Sequence, residues 1–203
     1  GRDYLNKQNK LIFYLGLEED SNPELIVKSR IKSISIFNGE ENKAYFIKDT
    51  QEGFFDFLKR IFENDKIEKY GYDLSNAYIL LKQIGISIQK IKYDIAVAAY
   101  VIDPSIGKYP MDGLIEQYLN LNTNNYLTLN GVATEKTKQM TLFETAEKQN
   151  DEGLYKNTFY AYAIYELSKI LTEKLKDQEE LELFKTIDMP TVEVLANMQF
   201  NGM

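Results

Sequence analysis

The chain has neither cysteine nor histidine among its 203 residues. Without cysteine there can be no disulfide, no thiolate metal site and no thiol nucleophile. Without histidine, Ser-His-Asp catalysis, imidazole metal ligands and imidazole base catalysis are all excluded. Any hydrolytic chemistry must therefore rest on carboxylates, tyrosine, lysine or a bound metal. No apolar run approaches the roughly 18–20 residues of a membrane span, and no signal peptide is visible. No Walker-type or dinucleotide-type glycine loop occurs, and Lys and Arg form no tight cluster resembling a phosphate cradle. A net charge of −7 argues against a broad nucleic-acid footprint, which clustered basic residues would carry.

What is present is ordinary for a globular protein: 44% hydrophobic and 27% charged residues. A chain of this length buries roughly 70% of its unfolded surface and needs no staples. One compact domain with a helical appendage is expected. The chain begins Gly1-Arg2, without Met, and stops at the turn signal Asn201-Gly202-Met203. It reads as a segment of a longer protein, with the cytoplasm as default compartment.

Three strands open the chain. LIFYLGL at 11–17 is a continuous apolar run, IKSISIF at 31–37 alternates as a half-buried strand should, and AYFI at 44–47 returns after the hairpin-type turn Asn38-Gly39. The pattern then turns helical over 50–62, with apolar residues at 54, 55, 57, 58, 61 and 62. Residues 67–72 form a short strand candidate, and 73–84 a helix opened by Asp73 and closed by Gly85. Residues 86–93 are strand-like, Asp94 N-caps a helix through Val101, and Asp103-Pro104 ends it. Beyond Met111 the reading is mostly helical: 112–118, 142–148, 155–175 and 179–200, the last restarting at Pro190. An Asn-rich loop covers 120–130. Strands first, alternation next and helices last predict a mixed sheet covered by helices.

Four segments resemble one family. Tyr72-Asp73 followed by a helix and Gly85-Ile86, the run YDIAVAAYVIDP at 93–104, MDGLIEQYL at 111–119, and LFKTIDMPTVEVLANMQFNG at 183–202 are similar to the 3′–5′ exonuclease domain of bacterial DNA polymerase I. The closing segment, long and ungapped, is the strongest signal and resembles the junction into a polymerase domain. The resemblance covers nearly the whole chain, more firmly from about Ile67 onward. It implies an α/β ribonuclease H-like exonuclease fold, with a five-stranded mixed sheet flanked by helices and a helical C-terminal tail. Residues 1–176 would be the exonuclease-like domain, and 177–203 the junction toward a polymerase domain.

The family's exonuclease holds two metals with four carboxylates, helped by a tyrosine. Two acids stand one residue apart on the first strand, one opens the helix after the fourth strand, and one lies on the late helix four residues beyond the tyrosine. Such spacing lets acids from separate elements hold metals about 4 Å apart around a scissile phosphate. Here Phe13-Tyr14-Leu15-Gly16 occupies the place of the strand acids, and Glu18, Glu19 and Asp20 follow it. Asp73 matches the second-motif acid, and N-capping of its helix is the structural alternative. No aspartate occurs between Asp151 and Asp177. In the preferred alignment Tyr160 takes the place of the late-helix aspartate and Lys156 that of the tyrosine, while other registers offer Phe159 or Ala163. Tyr162 and Glu166 have the i, i+4 spacing of surviving chemistry, against aromatic packing of tyrosines 155, 160, 162 and 165. Asp94 and Asp112 fit helix starts.

The expectation is a degenerate exonuclease-like domain of the type carried by some Gram-positive polymerases, with no catalytic, metal or cofactor residues of its own. Asp73 is the vestigial candidate. The fragment would be a monomeric structural platform, not membrane-bound. Its partners would be the polymerase domain of the parent chain, a DNA-directed DNA polymerase of replication and repair using Mg²⁺, and DNA through that parent. The alternative is an active metal-dependent exonuclease using Glu18 or Asp20, Asp73 and Glu166.

Overall fold

The computed structural model describes residues 9–18, 29–121 and 152–202. Its centre is a five-stranded sheet in the order β3-β2-β1-β4-β5. Strands β1 (Lys10–Leu17), β2 (Ile31–Asn38) and β3 (Lys43–Lys48) form an antiparallel meander. Strands β4 (Glu68–Gly71) and β5 (Ile91–Asp94) then add parallel to β1, so the mixed sheet is as expected. Parallel addition needs crossovers, which α1 (Phe54–Phe62) and α2 (Leu74–Gln83) supply. After β5 come α3 (Ile95–Ile102), α4 (Met111–Leu114) with a π turn over Ile115–Leu119, and the long α5 (Glu152–Asp177). The chain closes with α6 (Leu181–Leu183), a π turn over Phe184–Asp188, and α7 (Met189–Asn201).

Alternation along β1 sorts its side chains between two helical layers. Phe13 meets Phe62 of α1 edge-to-face at 4.9 Å. Tyr14, one residue on, meets Tyr160 of α5. Helix α5 also packs on β2 and α3, while α7 lies along α2 and against β5.

Several sequence expectations shift. Strand β2 is buried on both faces, because α5 covers the side on which Ser33 and Ser35 stand. Helix α1 starts at Phe54, since Gly53 before it is left-handed with φ 77°. Strand β5 begins only at Ile91: residues 86–89 lie outside the ladder, and Lys90 at φ 63° turns the chain into it, its carbonyl accepting the Lys69 N–H at 2.8 Å. Ile86 and Ile88 are nonetheless buried, which is the source of their strand-like alternation. In the β2–β3 turn the positive φ falls on Asn42 rather than Gly39. A side chain at Gly39 would meet the Tyr165 ring at 2.4 Å, so close approach is what requires glycine there. The restart at Pro190 is preceded by the π turn, as expected where proline has no N–H for the helix ladder. The helix read over 142–148 lies outside the described residues.

Candidate functional site

The acids of the parallel strands meet at the carboxyl ends of β4 and β5. Gly71 pairs with Asp94 across the ladder, which brings the starts of α2 and α3 together. Asp94 is 2% exposed, and its carboxylate accepts four backbone N–H groups. Two belong to its own helix, Ala96 at 2.9 Å and Val97 at 3.4 Å. Two belong to the start of α2, Asp73 at 3.1 Å and Leu74 at 2.8 Å. Burial pushes its pKa up to about 6, with the Asp73 charge adding and the backbone donors opposing. The Asp94 N–H in turn faces the Met189 sulfur at 3.3 Å.

Asp73 therefore does not cap its helix as the sequence suggested. It stands at the N-cap position with φ 53° and ψ 58° and makes no side-chain cap hydrogen bond. Its carboxylate accepts instead from Ser75 Oγ at 3.2 Å and from the Asn76 side-chain amide. The capping carboxylate comes from the neighbouring strand. Two helix-opening aspartates after consecutive parallel strands were the signal for this arrangement, and only the strand order converts it into a contact.

On the α5 side, the positions of β1 facing the late helix are Tyr14 and Gly16. A side chain at Gly16 would meet Asn157 of α5 at 2.6 Å. Tyr14 packs edge-to-face on Tyr160 with centroids 5.0 Å apart, and the Tyr160 hydroxyl donates to Asp112. Tyr160 is buried, and the Lys156 ammonium lies 5.6 Å over its ring. Phe159 and Ala163 are buried beside it. Tyr72 donates to the Tyr109 carbonyl at 2.6 Å. Its own pKa is pushed up to about 12, by burial first and then by the charges of Asp73 and Asp94 and the nearby Tyr14. Asp112 as acceptor for Tyr160 was not foreseen, since the two are 48 residues apart.

The other candidates stand apart. Glu18 follows a register shift at Gly16/Leu17 and pairs with Lys32 at 3.6 Å. Glu166 pairs with Lys169 at 3.5 Å, and Tyr162 packs on Phe37 at 5.2 Å. Asp20 lies outside the described residues. Among the described residues no group of three or more acids is placed to hold a metal ion, so the donor set there does not fit a two-metal centre.

Fold and site together define a ribonuclease H-like α/β domain of the exonuclease type. The sequence profile of the family described as "DNA polymerase I, ribonuclease H-like domain" matches residues 24–125, and the chain belongs to that family. It is 26% identical over 172 residues to DNA polymerase I of Bacillus subtilis, covering 85% of this chain and 18% of that protein. Against DNA polymerase I of Pseudomonas aeruginosa it is 28% identical over 150 residues, covering 71% and 16%. The chain thus spans less than a fifth of the length of these curated relatives. Among solved structures, the polymerase of M. smegmatis with DNA primer-template and dNTP superposes with TM-score 0.70 at 14% identity, over 97% of this chain and 29% of that one. Brucella melitensis NrnC superposes with TM-score 0.64 at 10% identity, over 97% and 89%. No helix among the described residues is long and apolar enough to cross a membrane.

Proposed function

We propose that this chain is a catalytically silent exonuclease-like domain, serving as a structural platform for the polymerase domain of a DNA polymerase I in replication and repair. The observation that carries the reading is the Tyr14–Tyr160 contact. Where acids of β1 and α5 would face each other across a metal pair, two aromatic rings are packed together. The Tyr160 hydroxyl engages Asp112, which occupies one of the nearby carboxylates. Neutral phenols neither bind Mg²⁺ as carboxylates do nor balance the charge of a transferring phosphate. On this reading Asp73 is a relic held by its own helix, the fragment carries no cofactor, and Mg²⁺ and DNA are handled by the parent polymerase in the cytoplasm.

The platform role draws support from α7. Its inner face buries Met189, Val192 and Ala196. Its outer side leaves Val194 and Leu195 57% and Met198 65% exposed, continuing Leu183 and Ile187 of the preceding turns. A helix apolar on both sides suits a position between two layers, as residues 177–203 would have if they lead into a polymerase domain.

The test is incubation of the chain with a 5′-labelled single strand and Mg²⁺ or Mn²⁺. No shortening is expected. Metal-dependent shortening that Asp73→Ala abolishes would overturn the proposal in favour of an active exonuclease.

A further inference from the structure

The sequence shows no local cluster of basic residues, yet the fold assembles one. Lys10 at the start of β1, Lys92 on β5, Lys169 on α5 and Lys185 in the turn before α7 line one groove of about 620 Å³, together with Glu68 and with Glu173, which pairs with Lys176 at 3.1 Å. Its aromatic wall is Tyr70 stacked on Tyr93, centroids 5.6 Å apart and rings 2° from parallel. All four lysines are exposed. Lys92 is partly neutralised by Glu68 at 3.5 Å and Lys169 by Glu166 at 3.5 Å. Lys10 and Lys185 have no ion-pair partner among the described residues. The Lys10 ammonium sits 5.2 Å over the Tyr70 ring, held across the groove by a contact that leaves its N–H groups available.

The groove lies away from the family's site. Lys10 and Glu68 on its wall begin β1 and β4, whereas Asp73 and Asp94 stand at the carboxyl ends of β4 and β5. Along α5 the groove's lining begins at Ser168, 8 residues beyond Tyr160, or about 12 Å of helix. The net charge of −7 makes a local excess of lysines the more distinctive, since nothing in the overall field favours anions here.

We propose that this groove binds phosphate-bearing ligands, through the ammonium groups of Lys10, Lys92, Lys169 and Lys185. Ammonium groups on flexible stems are point-charge donors suited to a phosphate or phosphodiester oxygen without fixed geometry. The two sources of that chemistry are a free phosphate or pyrophosphate anion and the phosphodiester backbone of a single strand, which lysines bind by neutralising its charge.

The experiment is fluorescence anisotropy of a labelled oligothymidylate titrated with the chain in EDTA, so that strand cleavage plays no part. Binding is expected at low salt, with log K falling against log salt at a slope of about −2 if three phosphates are neutralised. Lys10→Glu combined with Lys185→Glu should weaken binding at least tenfold, with Lys185→Gln as a milder second reading. Lys43→Glu on the far edge strand should leave it unchanged. Displacement of the strand by inorganic pyrophosphate assigns the groove to a free anion, and resistance to displacement assigns it to the strand. Absence of binding by the wild-type chain to both probes overturns the proposal. So does equal binding by the Lys10/Lys185 double variant with an unchanged melting temperature.

Discussion

Asp94 Oδ2 accepts the backbone N–H of Leu74 at 2.8 Å, so the residue that opens α3 also caps the buried start of a helix 20 residues earlier. The other oxygen serves α3 through Ala96 and also takes the Asp73 N–H. Both oxygens must accept, which a carboxylate can do and a carboxamide cannot. Asp94→Asn should therefore lose one of the two caps and cost about 1–2 kcal/mol. Asp94→Ala should cost about 2–3 kcal/mol, leaving buried donors unpaired at both helix starts. Urea denaturation at neutral pH measures both, and equal stability of Asp94→Asn and wild type would refute the shared cap.

The same carboxylate should make stability depend on pH in an unusual direction. Its folded pKa, about 6, is raised from the ordinary 3.8. The folded state thus holds the proton more tightly than the unfolded state. The associated stabilisation is fully present below the unfolded value and is lost as pH rises through about 6. The gap in unfolding free energy between wild type and Asp94→Asn should accordingly widen as pH falls from 7 to 4. A gap that stays constant or narrows contradicts the assigned burial effect.

At Asp73 the backbone rather than the carboxylate is the demanding feature. At φ 53° an asparagine or glycine is tolerated, whereas alanine meets the left-handed penalty of about 1 kcal/mol. Asp73→Asn should melt close to wild type, and of the two variants that lose the contacts to Ser75 and Asn76, Asp73→Ala should be less stable than Asp73→Gly by about 1 kcal/mol. Chemical denaturation of the three variants decides it, and an Asp73→Gly variant less stable than Asp73→Ala would reject the backbone explanation.

Most of the sheet was legible in the sequence because its strands are short apolar or period-two runs between turn signals. The failures have a common physical origin. Ser33 and Ser35 looked solvent-facing because no local signal says that α5 will cover that side of β2. Ile86 and Ile88 alternate like a strand because their side chains are buried although the segment lies outside the sheet, and alternation reports burial rather than pairing. The candidate site divides the same way. Absence of strand acids and of a late-helix aspartate is visible in the chain itself. The bridging of two helices by Asp94, the engagement of Asp112 by Tyr160 and the lysine-lined groove all join residues from separate elements, and only the strand order brings them within reach.

The Tyr14–Tyr160 pair should behave as core rather than as an altered active site. An edge-to-face pair contributes about 0.5–1.5 kcal/mol beyond the area it buries, and Tyr160 adds its hydrogen bond to Asp112. A double-mutant cycle with Tyr14→Leu and Tyr160→Leu should return a coupling in that range. Tyr160→Phe should cost about 1 kcal/mol, the ordinary net value of one hydrogen bond. Tyr160→Asp should cost more, about 3 kcal/mol, since it removes the ring and places a second carboxylate against Asp112 in a buried site. It should restore no strand cleavage with Mn²⁺, because the β1 positions opposite are a tyrosine and a glycine and supply no carboxylate. If Tyr160→Asp instead gained both Mn²⁺-dependent stabilisation and cleavage, the site would be one substitution from a working centre, and the packing account of its silence would fail.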